Sequence, residues 1–239
     1  MTDTTMPPTA VPQPSLPARL IGVLFSPRDT FAAVVARPRW FGAMAVAILV
    51  MAVAQFALLS TDVGKELALD QNVSAMEAFG ITISDEAYAD MERSMENARY
   101  TGPVFSMVFV PLVTAISAGI LHVMFGLVGG GNGTYKQVYA ISTHAAIISA
   151  LQLVFTTIVT LAAGRAAGAN LAVFTPTLED TTFVYKFLSY IDLFYVWSTF
   201  ITAVGLGVLY KRRTGPIAMV LFGIYFVIAA IIAYVASGS

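Results

Sequence analysis

Val104–Val128 reads VFSMVFVPLVTAISAGILHVMFGLV. Those 25 residues hold no Asp, Glu, Lys or Arg, and their only ionisable side chain is His122. As a helix the stretch would be about 37 Å long at 1.5 Å per residue, enough to cross the roughly 30 Å of hydrocarbon in a bilayer. It lacks the strict alternation of a barrel strand. One such run predicts a transmembrane helix and makes the rest of the chain a question of counting.

Outward from it, four more runs qualify: 40–60, 139–163, 187–209 and 217–236. Asp192 in 187–209 and His144 in 139–163 are the only ionisable groups inside them apart from tyrosines. Composition agrees. Of 239 residues, 57% are hydrophobic and 11% charged, against about 25% charged in an ordinary soluble domain. Too few polar residues remain to clothe a water-soluble globule. The fold class predicted is therefore all-α: a polytopic membrane helix bundle of about five transmembrane helices. The net charge of −1 gives no sign of a nucleic-acid partner, and the absence of cysteine removes disulfides, thiol catalysis and Cys-ligated zinc.

The connections sort by charge. Before the first span stand Arg19, Arg28, Arg37 and Arg39; Lys136 lies between spans two and three; Lys211, Arg212 and Arg213 lie between four and five. The alternate connections differ: 61–103 carries nine Asp and Glu against Lys65, Arg93 and Arg99, and 164–186 balances Arg165 and Lys186 with Glu179 and Asp180. Lys and Arg near span ends set orientation, so the N-terminus is expected in the cytoplasm and the C-terminus outside. About 40 residues precede the first span, which is long for a signal-peptide n-region, and the span is read as an uncleaved anchor.

Outside the spans, residues 1–17 are Pro- and Thr-rich and expected to be disordered. Residues 18–39 form an amphipathic segment. Ser26-Pro27-Arg28-Asp29 reads as a helix start, with Ser26 as N-cap, Pro27 at the first helical position and Asp29 as the capping-box acid. Two placements suit this segment: flat on the cytoplasmic leaflet, or packed on the ends of the bundle. On the first, the membrane-surface contacts are Arg19, Arg28, Phe31, Arg37 and Arg39, joined by Lys211, Arg212 and Arg213. The 61–103 loop is too long to be bare. Ser84 is expected to cap a helix there, with Tyr88, Met91 and Met95 on one face, giving a short acidic helical hairpin outside the membrane. Gly129–Gly133 is expected to be a flexible cytoplasmic turn; it lacks the Lys-Ser/Thr ending of a phosphate loop.

Ionisable groups within spans are costly and are the default functional candidates. Asp192 is placed about a turn and a half into span four, and His122 and His144 about 10–12 Å deep. As a set they suggest a substrate or ion pathway; singly, each suits an interhelical hydrogen bond. No metal or cofactor is called for, since Glu or Cys ligands at a recognisable spacing are missing. Ser142 and His144, two apart on a helix, face different ways and make a poor nucleophile–base pair.

Phe25-Ser26-Pro27-Arg28-Asp29-Thr30-Phe31, Tyr135-Lys136-Gln137-Val138 and Ile191-Asp192-Leu193-Phe194-Tyr195-Val196-Trp197-Ser198 occur in an order that resembles the bacterial branch of the Yip (Ypt/Rab-interacting protein) family. The resemblance runs from about Leu20 to Ala236. It implies five spans, a cytoplasmic N-terminus and a C-terminus outside or lumenal. The chain is expected in the bacterial inner (plasma) membrane and, with no catalytic constellation in the sequence, is expected not to be an enzyme. Eukaryotic members act in vesicle trafficking with small GTPases, and their Asp-Leu-Tyr-Gly-Pro signature is not found here. The expected role is membrane organisation or partner binding through the helix at 18–36 and the bundle. The alternative is a small transporter or channel using Asp192, His122 and His144. The partners this reading allows are the bilayer, a protein at the cytoplasmic face and further copies of the chain.

Overall fold

A computed structural model describes residues 14–78 and 80–237. The expected disorder of 1–17 therefore lies largely outside the described residues; the first helix already begins at Leu16. Among the described residues ten α-helices follow in order: α1 Leu16–Phe25, α2 Pro27–Ala36, α3 Phe41–Leu59, α4 Asp62–Ala78, α5 Asp85–Ser94, α6 Ala98–Leu121, α7 Tyr135–Ala163, α8 Phe183–Ser189, α9 Leu193–Leu209 and α10 Thr214–Ser237. A π-helical segment, His122–Val128, prolongs α6. Among the described residues there is no strand, only a single antiparallel bridge between Asn170 and Asp192.

Among the described residues four helical stretches are long and apolar enough to cross a membrane: Phe41–Leu59, Asp85–Val128, Tyr135–Ala163 and Thr214–Ser237. The fifth expected span, 187–209, is divided. Short α8 ends at Ser189, and the apolar helix proper, α9, has 17 residues, about 25 Å of helix.

α7 is the central pillar. It packs against α3, α6 and α9, and Val138, Ile141, His144 and Ile148 along it are buried. α9 is sandwiched among α7, α10 and α2. α7 and α9 run antiparallel: Phe194 meets Phe155 at one end, their ring centroids 5.4 Å apart, and Gly205 meets Ile141 at the other. α6 stays peripheral, with Val104, Phe105 and Val108 exposed, as a face turned to lipid should be.

α1 and α2 are joined through one residue. The Ser26 N–H donates to the Gly22 carbonyl at 2.7 Å and closes α1; its carbonyl accepts the Thr30 N–H at 3.1 Å and opens α2. Pro27 stands at the first position of α2, where its missing N–H costs nothing. The Ser26 hydroxyl makes no capping bond, contrary to the capping-box expectation. In its place the Thr30 hydroxyl donates to the Ser26 carbonyl at 2.9 Å. The two helices meet so closely that a Cβ on Gly22 would lie 2.3 Å from Thr30 Oγ1.

The acidic connection is a helical hairpin, α4 and α5. Ser84 caps α5 by accepting the Ala87 N–H at 3.2 Å. The Tyr88, Met91 and Met95 face does not reach the bundle core: Tyr88 and Met95 line a hollow against α4 with Asp62, Lys65 and Leu69.

Candidate functional site

Eight of the 13 Lys and Arg residues (Arg19, Arg28, Arg37, Arg39, Lys136, Lys211, Arg212 and Arg213) belong to α1, α2, the first turn of α7 and the connections at the same end of the bundle. Asp29 is the single acid described there. The acidic hairpin and the 164–192 connection occupy the opposite end, where Asp70 and Glu77 of α4 come near Lys186 of α8 around a cavity of about 740 Å³. The charge segregation read along the chain thus becomes a segregation in space.

At the basic end, α2 is a fixed part of the bundle. Phe31 and Val34 are fully buried, as is Val23 of α1. A Cβ on Gly205 would come within 3.3 Å of the Phe31 ring and 2.5 Å of Ile141, so α2, α7 and α9 meet where α9 has no side chain. Gln137 adds a polar tie. Its side-chain oxygen accepts the Thr134 N–H at 2.8 Å, completing a capping box that starts α7, and its amide nitrogen donates to the Val35 carbonyl of α2 at 3.0 Å. The Thr134-x-x-Gln137 pattern before an apolar run is a legible capping signal; the reach to Val35, 102 residues away, is not.

This corrects two expected membrane-surface contacts. Phe31 faces the bundle with no exposure, because the stripe it belongs to is matched by Gly205 and Ile141. Arg19 is buried too. Its guanidinium donates to the Arg39 carbonyl at 3.3 Å, and its Nε has no partner. Burial, and then the charge of Arg39, hold it below its ordinary pKa. The apolar residues left facing outward are on α1: Ile21 is 60% exposed and Phe25 80%. They lie four apart, on one face. Arg28, Arg37 and Arg39 remain exposed beside them.

The Lys211–Arg213 turn is shaped by a left-handed residue. Lys211 has φ of 53°, the one positive value outside glycine among the described residues. The Arg212 N–H returns to the Gly207 carbonyl at 2.9 Å, ending α9 in a Schellman-like turn with Lys where glycine is usual. The Arg212 side chain donates to the Gly129 carbonyl, so the glycine-rich turn expected to be flexible is pinned to its neighbour.

The three intramembrane candidates stand apart. Asp192 is the N-cap of α9, not a residue inside a helix: its Oδ1 accepts the N–H groups of Phe194 at 2.7 Å and Tyr195 at 3.3 Å. Its own N–H donates to the Tyr225 hydroxyl at 3.2 Å, and that hydroxyl donates to the Tyr190 carbonyl at 2.6 Å. The backbone at Asp192 also bridges to Asn170, through Leu171 N–H to the Ile191 carbonyl and Leu193 N–H to the Ala169 carbonyl. His144 is fully buried near Arg19, its Nδ1 on the Ala140 carbonyl at 2.7 Å and its Nε2 unpartnered. His122 packs edge-on against Tyr135, nine residues and about 13 Å of helix from His144. Phe155, opposite the Asp192 end of α9, is a further 11 residues, about 16 Å, beyond His144. Among the described residues no interaction joins any two of the three, and no three His, Asp or Glu side chains gather where a metal could sit.

Among protein-family models, the Yip1 domain matches residues 21–236. No curated protein and no solved structure matches the chain.

Proposed function

Because the chain belongs to the Yip1 domain family, we propose that it is a non-enzymatic membrane scaffold whose α1–α2 pair forms a rigid platform on the cytoplasmic leaflet. On this reading α3, α6, α7, α9 and α10 cross the bilayer, the basic end faces the cytoplasm of a bacterial cell, and the acidic hairpin and C-terminus lie on the other side. The observation that carries it is the pairing of an apolar outer edge, Ile21 and Phe25, with eight cations at one end of the bundle. An amphipathic helix with arginines at its flank is what an anionic leaflet holds. Anchoring α2 through Phe31 keeps the platform at a constant height and angle against the bundle, so a partner or a curved leaflet would meet a preformed surface. A non-enzymatic role is supported by the separation of the candidate groups, each satisfied by local partners or held alone.

The test uses the absence of cysteine. Phe25→Cys, spin-labelled in nanodiscs containing phosphatidylglycerol, should be accessible to oxygen and shielded from a water-soluble nickel chelate. The same label at Asp180→Cys should show the reverse. Equal chelate exposure at both sites would overturn the platform's placement on the leaflet.

A further inference from the structure

Between α2 and the α9–α10 turn lies a hollow of about 710 Å³. Arg28, Lys211, Arg212 and Arg213 line it, with Asp29 as the single carboxylate. Among the described residues none of the four cations has an acidic partner within 4 Å; the two ion pairs present, Lys65–Asp62 and Arg93–Asp90, are both on the hairpin. Arg212 and Arg213 also line a second hollow of about 390 Å³, whose other walls are Phe125, Pro216, Ile217 and Val220. A basic hollow and an apolar groove along the first turns of α10 therefore lie side by side, with Arg212 and Arg213 lining both.

Two simpler duties exist for these cations: orienting the chain in the membrane and offsetting the dipole at the C-terminus of α9. Neither requires a chamber, and neither requires Lys211 in the left-handed conformation that glycine normally fills. That backbone keeps three consecutive cationic residues at the rim of the first hollow and the last two of them at the rim of the second. Guanidinium groups suit phosphate by geometry as well as charge.

We propose that the paired hollows bind one anionic phospholipid, its phosphate among Arg28, Lys211 and Arg213 and one acyl chain along Phe125, Ile217 and Val220. Charge complementarity chooses an anionic headgroup; the continuous apolar groove chooses a lipid over a free phosphate. The proposal deepens the platform reading by naming what the basic end holds, and it rests on that end lying at a leaflet surface.

The experiment is quantification of lipid retained by the full chain after delipidation in mild detergent, with phosphatidylglycerol and phosphatidylcholine offered in equal amounts. About one phosphatidylglycerol should remain per chain, in clear preference over phosphatidylcholine. Lys211→Gln/Arg213→Gln should weaken retention about 25-fold, the product of roughly fivefold for each cation removed near an anionic surface. Lys136→Gln, a cation at the same end but outside the hollow, should leave it unchanged. Val220→Trp, which fills the groove without altering charge, should displace the lipid while glycerol 3-phosphate still protects the turn from hydrogen exchange. Equal loss on Lys136→Gln would mean general surface attraction and overturn the site. Glycerol 3-phosphate competing as strongly as the lipid, or full retention in Val220→Trp, would overturn the acyl-chain half and leave a phosphate site only. If the charge variant fails to fold, Val220→Trp decides. Since both faces of a micelle are accessible, these outcomes do not depend on orientation and are distinct from failure of the platform's placement.

Discussion

Phe31→Ala should free α2 from the bundle while leaving the spans intact. The ring is fully buried, Gly205 beneath it has no side chain to move into the gap, and Ile141 beside it is itself fully buried. The site can relax little, and a Phe→Ala change of that kind costs about 3–5 kcal/mol. Since 1.36 kcal/mol is a factor of ten, amide hydrogen exchange across Pro27–Ala36 should accelerate by between about two and four powers of ten. Amides of α3 and α7 away from Ile141 should keep their protection. Phe31→Leu preserves most of the volume and should cost less than about 1.5 kcal/mol, so its α2 exchange should rise about tenfold at most. The assay is exchange mass spectrometry in nanodiscs. Unchanged α2 protection in Phe31→Ala would refute the claim that this contact fixes the platform; equal loss in α3 and α7 would show that α2 is no separate unit.

Other expectations are narrower. Gln137→Glu keeps the acceptor that caps α7 but loses the donor to the Val35 carbonyl, so α2 exchange should quicken by the equivalent of about 1–3 kcal/mol while the first turn of α7 stays protected. Gly22→Ala forces a Cβ to within 2.3 Å of Thr30 Oγ1 and should lower thermal stability by about 1–3 kcal/mol. Thr30→Ala in the same chain should restore most of that loss, and strict additivity in the double-mutant cycle would count against the close crossing. Asp192→Ala removes the N-cap of α9 and should cost about 0.5–2 kcal/mol, with Asp192→Asn nearly silent; a large loss in Asp192→Asn would point to a need for the charge itself.

Four long apolar helices were legible because a run of 20 apolar residues has few other uses, and the gathering of Lys and Arg at one end of the bundle because such residues cluster near span ends for a physical reason. Ser84 was legible as a cap because its partner is three residues away. Long-range partners left no comparable mark. Tyr190-Ile191-Asp192 reads as continuous helix; what breaks it is the Tyr225 hydroxyl 33 residues later and the bridge to Asn170. The stripe through Phe31 has one pattern whether it meets lipid or protein, and only Gly205, bare and far along the chain, decides between them. Three ionisable groups in apolar runs look alike in sequence, yet one is a cap, one is buried on the Ala140 carbonyl and one packs edge-on against Tyr135.

The central claim is a bundle with its basic α1–α2 end in the cytoplasm and an odd number of crossings. Its most direct test is labelling single-cysteine variants of the cysteine-free chain in intact cells with a membrane-impermeant maleimide. The account predicts that Asn132→Cys, exposed in the turn at the basic end, is protected until the membrane is permeabilised, whereas Asp180→Cys and Ser237→Cys are labelled at once. Labelling of Asn132→Cys and Asp180→Cys from the same side, or protection of Ser237→Cys alongside Asn132→Cys, would contradict it.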